Sequence, residues 1–119
     1  MKARIYFNKA EFGMVLNAMK GFRLTLKGSN LKLFNIVFEK VVNGQSKSRV
    51  SLDGMEMIYL AQALRRRSKL FLAIRKIEEY RRYAKLADEV EQVRKEYQSY
   101  FGPKTKIAPT AGTVDAIAQ

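Results

Sequence analysis

Six cations, Arg23, Lys27, Lys32, Lys40, Lys47 and Arg49, interleave with Phe34 and Phe38, and Glu39 is the only acid among them. Cations hold phosphates, and flat apolar rings stack on unpaired bases. Other chemistries lack their parts. The chain has no histidine and no cysteine, which removes the commonest general base, thiolate nucleophiles, disulfides and the usual zinc ligands. Its eleven carboxylates form no clustered set for a two-metal nuclease. Gly13, Gly21 and Gly28 are scattered and build no phosphate-cradling loop. The expectation is a non-enzyme with no metal and no cofactor.

A length of 119 residues suits one domain, and 47% apolar content suffices for a core. The formal charge of +12 costs self-repulsion and attracts polyanions: nucleic acid, an anionic membrane or an acidic protein. Residues 1–50 carry ten Lys/Arg against two Asp/Glu, whereas residues 51–100 carry eleven against eight. The first half should therefore do most of the binding. No stretch reads as a signal peptide or a membrane span. A soluble, cytoplasmic protein with no membrane partner is expected, in the host cytoplasm if the source is viral.

These side chains need elements to position them. Ala3–Phe7 reads as a strand, and residues 9–20 are ambiguous: Phe12, Val15, Leu16 and Met19 fit a helix face, but Gly13 weakens it. Phe22–Lys27 alternates apolar and polar, the period of a half-buried strand. Gly28-Ser29-Asn30 reads as a turn. Leu31–Val42, rich in β-branched and aromatic residues, reads as a long strand. Asn43-Gly44 is a strong hairpin signal, and Lys47–Leu52 reads as the returning strand. Asp53 and Glu56 have the spacing of a capping box for a helix to about Arg67, with Met55, Tyr59, Leu60, Ala63 and Leu64 inward. Ser68 would cap a longer helix to about Phe101, ended by Gly102-Pro103. Residues 1–103 thus form one α+β domain, an antiparallel sheet with C-terminal helices, and residues 104–119 a flexible tail.

Two-residue turns at Ser29-Asn30 and Asn43-Gly44 fix a register, and residues directly opposite share a face. One face then holds Leu24, Leu26, Leu31, Leu33, Val37, Val41, Val50 and Leu52. The other holds the six cations around Phe34, Ile36 and Phe38. The first strand adds Lys2, Arg4 and Tyr6 on one side of its pleat. Such a face suits single-stranded DNA, with Phe34 and Phe38 stacking bases; RNA offers the same chemistry. The competing reading covers Phe34, Ile36 and Phe38 with a C-terminal helix, giving a sheet buried on both sides.

Arg65-Arg66-Arg67 with Lys69 is the densest basic run. It sits at an expected helix C-terminus, where the dipole favours cations, and is equally a phosphate contact. Tyr83, Leu86, Val90, Val93 and Tyr97 form a heptad-like stripe, either internal packing or the seam of a homo-oligomer.

The overall build resembles the single-stranded DNA-binding proteins of small bacteriophages, particularly lactococcal ones: this length, no cysteine, a strongly basic balance and an antiparallel region at Arg23–Leu52. The resemblance implies an OB-like curled sheet, binding without sequence preference, and a role in phage DNA replication or recombination beside a recombinase. The strand–hairpin–helix order at Leu31–Arg67 is similar also to the Whirly proteins. Two rivals stand beside this reading. One is a protein-interaction module that inhibits a host complex. The other is a duplex-binding architectural protein using Arg65–Lys69 and the long helix.

Overall fold

The computed structural model describes residues 2–101. Their elements are β1 (Ala3–Tyr6), α1 (Lys9–Arg23), α2 (Gly28–Gly44), β2 (Arg49–Leu52), α3 (Gly54–Ala73) and α4 (Ile77–Phe101), with a 3-10 turn at Gln45–Lys47 between α2 and β2. The helix stop at Gly102-Pro103 and the tail at 104–119 lie outside the described residues. The expected α+β architecture is overturned. The described residues are mostly helical, and their one sheet is a two-stranded antiparallel ribbon, neither OB-like nor Whirly-like.

The decisive difference lies at Leu31–Val42, which is helix and not strand. Phe34, Val37, Val41 and Gly44 recur every three or four residues, so a helix places them on one face, and all four are buried. As a strand, the segment would have divided this set between two faces. Burial of the set outweighs the strand preference of its β-branched residues, which is itself context-dependent. The Phe22–Lys27 alternation is not a strand either. Phe22 and Arg23 finish α1, and the chain then turns through hydrogen bonds from Thr25 N–H to the Phe22 carbonyl and Leu26 N–H to the Arg23 carbonyl. Leu24, expected in the core, is left exposed. Gly28 takes φ of +62° as α2 begins, a conformation glycine adopts without a Cβ penalty.

Asn43-Gly44 makes no hairpin. Gly44 has φ of −77° and ψ of −13°, so the left-handed geometry of a type I′ turn is absent. Its need for glycine has another cause. A Cβ on Gly44 would stand 2.4 Å from the Arg49 carbonyl oxygen. The C-terminal end of α2 therefore seats directly on the backbone of β2.

β2 pairs with β1, in the register Ala3–Leu52, Arg4–Ser51, Ile5–Val50 and Tyr6–Arg49. Ala3, Ile5, Val50 and Leu52 point into the core, and Arg4, Tyr6, Arg49 and Ser51 point out. A hydrogen bond from Phe7 N–H to the Ser48 carbonyl continues the ladder.

Capping explains the starts of α1 and α3. Asn8 and Glu11 form a capping box, as do Asp53 and Glu56, each satisfying otherwise unpaired N–H groups. Within α1, Phe12, Val15, Ala18 and Met19 are buried. Within α3, the buried face is Met57, Leu60, Ala61, Ala63, Leu64 and Ser68, while Met55, expected inward, is exposed. Ser68 begins no helix, because α3 runs through it to Ala73.

The helix break falls at Ile74–Lys76. Lys76 N–H donates to the Phe71 carbonyl and Arg75 N–H to the Leu72 carbonyl, the two bonds of a Schellman motif. Arg75 fills its left-handed position with φ of +62°. α4 then runs back antiparallel along α3: Phe71 meets Tyr83 near the turn, and Gly54 lies beside the Tyr97 ring at the far end. Tyr83, Leu86 and Val90 are buried, with Val93 and Tyr97 packed against the same core. The heptad-like stripe is thus internal packing.

Two substitutions should move stability in directions opposite to simple rules. Gly44→Ala gains about 1 kcal/mol of helix propensity but forces α2 off β2, so its melting temperature should fall. Arg75→Gly should raise stability by about 1 kcal/mol, because glycine occupies the left-handed region without strain. Thermal unfolding followed by circular dichroism measures both.

Candidate nucleic-acid interface

The cations and rings singled out in the sequence do not share one face. Phe34 is 0% exposed. It sits between Phe22 and Tyr59, edge-on to each, with ring centroids 5.4 and 6.0 Å away. It is a core residue and cannot stack a base. Phe38 is partly buried against the core, with the Arg23 guanidinium 4.9 Å from its ring centroid. Ile36 is exposed, but on α2. Lys27 and Lys32 are exposed at the start of α2, Lys27 at its N-cap position. The expected stacking surface of Phe34 and Phe38 is therefore absent, because the segment carrying it is a helix packed on its aromatic side.

Arg65-Arg66-Arg67 is no single patch either. It lies within α3 and not at its C-terminus. Arg65 pairs with Asp88 at 2.7 Å. Arg67 lies over the Phe71 ring, 5.1 Å from its centroid. Arg66 reaches towards Gly21 on α1, where a Cβ would be 3.3 Å from its guanidinium. The run is divided between an ion pair, an aromatic face and a helix–helix contact.

The structure does assemble a sheet face carrying cations and a ring, but on the β1–β2 ribbon. Arg4 faces Ser51 and Tyr6 faces Arg49 across the ladder. Directly opposed side chains stand about 4.5–5.5 Å apart at Cβ. Tyr6 is 63% exposed, and it shares the outer face with Arg4, two residues along the strand, and with Arg49 across the ladder. Period-2 alternation in β1 placed Arg4 and Tyr6 together; the pairing with Arg49 depends on β2 folding back onto β1 across two helices.

Beside this face, at the edge of β2 that meets α2, lies a cleft of about 370 Å³ lined by Lys2, Lys40, Asn43, Lys47, Arg49 and Ser51. A second hollow is lined by Arg23, Phe38, Glu39 and Asn43. Asn43 borders both, so Arg23, the cleft and the ribbon follow one another along the surface. Sequence reasoning treated Asn43 as a turn residue and Glu56 as a cap alone, and so missed both here.

Glu56 organises the cleft. One of its carboxylate oxygens accepts from the Asp53 N–H, and the other accepts from the Lys40 ammonium. Glu56 is itself buried. The hydrogen bond to Glu56 raises Lys40 above the ordinary lysine value, against the smaller opposing effect of its burial. Lys2 lies next to Lys40, and that neighbour, by hydrogen bonding and then by charge, lowers Lys2 below the ordinary range. The cleft thus holds two ammonium groups side by side, one tied to a carboxylate and one not.

No known family matches this chain, and no curated protein or solved structure is similar to it. No helix among the described residues is long and apolar enough to cross a membrane.

The two lysines should act with opposite sign on stability. Lys40 holds its proton more tightly folded than unfolded. Its contribution is complete below about pH 10.5 and is lost as pH climbs through its raised value. Lys2 holds its proton less tightly when folded. At neutral pH its charge opposes folding, and that cost disappears as pH rises through its lowered value. Lys40→Gln should destabilise the chain by roughly 1–3 kcal/mol, because it strips a charged hydrogen bond from a buried carboxylate. Lys2→Gln should raise the melting temperature slightly. Denaturant unfolding of both variants at neutral pH checks the two signs.

Proposed function

We propose that this chain is a sequence-non-specific nucleic-acid-binding protein that takes single-stranded DNA across the outer face of the β1–β2 ribbon. The observation that carries the reading is the exposed Tyr6 ring on the same outer sheet face as Arg4 and Arg49. Arg4 and Arg49 hold backbone phosphates, and Tyr6 stacks an unpaired base. The concentration of charge in residues 1–50 supports it, because they supply β1, the start of β2 with Arg49, and most of the cleft. Duplex DNA hides its base faces, so an exposed ring is of less use there. The reading rests on the surface of this fold. It owes nothing to the curled sheet that the phage resemblance implied.

Duplex binding through phosphate contacts of the same cations is the runner-up. Matched single- and double-stranded oligonucleotides, compared at about 50 and 200 mM salt, separate the two readings. Preference for the single strand is expected, with affinity falling as salt rises. Tyr6→Ala should lose about 1–3 kcal/mol of single-strand affinity with no change in melting temperature, and Tyr6→Phe should retain most of it. Equal or tighter duplex binding, or a Tyr6→Ala variant that binds normally, would overturn the proposal.

A further inference from the structure

We propose that the cleft between the C-terminal end of α2 and the edge of β2 binds a phosphate monoester, presented as the phosphorylated end of a strand. This rests on the strand-binding reading, and adds a second, chemically distinct subsite to it.

The cleft adjoins the ribbon and shares Arg49 and Ser51 with it, but differs in shape and in the cations it adds. The ribbon face is open, which suits phosphates along a continuous strand. The cleft is concave, with about 370 Å³ of space, and receives cations from three segments: Lys2 ahead of β1, Lys40 from α2, and Lys47 and Arg49 from the turn and strand that follow. An internal phosphodiester carries one charge. A terminal monoester carries nearly two at neutral pH, and a third unesterified oxygen. Four cations line the hollow, and the positive excess left after Glu56 and Asp53 are counted matches the second kind of group.

Charge bookkeeping within the cleft supports this. Glu56 is the only carboxylate bonded to any of the four cations, and it satisfies Lys40. Asp53 caps α3, and it and Glu56 both act electrostatically on Lys2 and Lys40, so four cations face two carboxylates, a net of +2. Lys2, Lys47 and Arg49 have no ion pair among the described residues. The C-terminus of α2 adds partial negative charge equivalent to about half an elementary charge, which does not offset them. Lys2 and Lys40 line the same hollow and each feels the other's charge, so a dianion held there would offset their mutual repulsion. Asn43 and Ser51 add neutral hydrogen-bonding groups at the rim, of the kind that orient a phosphate.

The test uses the full chain and one short DNA strand, labelled internally and ending in a 5′-hydroxyl, a 5′-phosphate or a 3′-phosphate. One phosphorylated form is expected to bind about tenfold tighter than the hydroxyl form, the effect of one further charge-assisted hydrogen bond; which form identifies the strand polarity. The ratio should shrink towards one between about pH 7.5 and pH 5.5, as the monoester takes up its second proton near pH 6. No histidine exists to titrate in that window. Lys2→Ala with Lys47→Ala should bring the ratio close to one, because both side chains are exposed and line the cleft, while Arg4, Tyr6 and Arg49 are left in place. Equal affinity for all three ends, or a ratio that survives the double variant, overturns the subsite and leaves strand binding standing. If no strand binds, the strand reading fails and the cleft is judged with inorganic phosphate against chloride at equal ionic strength. A rise in melting temperature that the double variant loses then supports a monoester site for small phosphates, and no rise overturns it.

Discussion

The seating of α2 on the edge of β2 is the constraint on which the rest depends. With only hydrogen at the Gly44 Cα, the helix end reaches the Arg49 carbonyl. That approach fixes where β2 runs, and so which of its residues face β1. It aligns Tyr6 with Arg49 and Arg4 with Ser51. It also sets Lys40 and Asn43, on the last turns of the helix, against Lys47 and Arg49. A bulkier residue at 44 would push these groups apart. Ribbon face and cleft are therefore two consequences of one backbone contact.

Glu56 works at the same junction from the other side. A capping glutamate ordinarily satisfies a single N–H at the start of its own helix. Here the second oxygen takes the Lys40 ammonium, which ties the start of α3 to α2. A carboxylate shared in this way costs little to bury, because both oxygens are bonded. Glu56, the only buried acid among the described residues, is thereby used for positioning. Glu11, one of the two acids in the first fifty residues, is committed to the cap of α1. The second half treats its charges differently: Arg65 pairs with Asp88, and Arg94 with Glu91. Among the described residues, Arg4 of the ribbon and Lys2, Lys47 and Arg49 of the cleft have no ion pair.

What the sequence made legible follows from the range of each signal. The Asp53–Glu56 box, the two short strands and the apolar stripe of α4 depend on neighbours within one or two turns, and the structure contains all of them. Leu31–Val42 shows the limit. Its β-branched and aromatic composition resembles a strand, while Phe34, Val37 and Val41 recur at the spacing of a helix; only burial against α3 and α1 decides between them. Asn43-Gly44 carried a hairpin signal for a glycine that is needed for close packing, and composition does not separate the two needs. Ser68 offered a cap that the helix ran past, since its burial supports continued helix. The pairing of β1 with β2 spans two intervening helices, and no local pattern announces a partner so far along the chain. Arg4, Tyr6 and Arg49 were each identifiable as surface residues, but their meeting was not.

The corrected surface changes what kind of binding this chain can support. A sheet with several exposed rings draws much of its affinity from stacking, at about 1–3 kcal/mol per base. Here one ring is offered, so the larger share must come from phosphates and must fall steeply with salt. Under the proposed strand-binding role, one ring per chain would leave tight coverage of a strand to several copies lying along it. The α4 stripe is buried within the chain and does not provide the seam for that arrangement. Copies would instead be brought together by the strand itself, and a subsite that recognises a terminal phosphate would give the first of them a defined place to start.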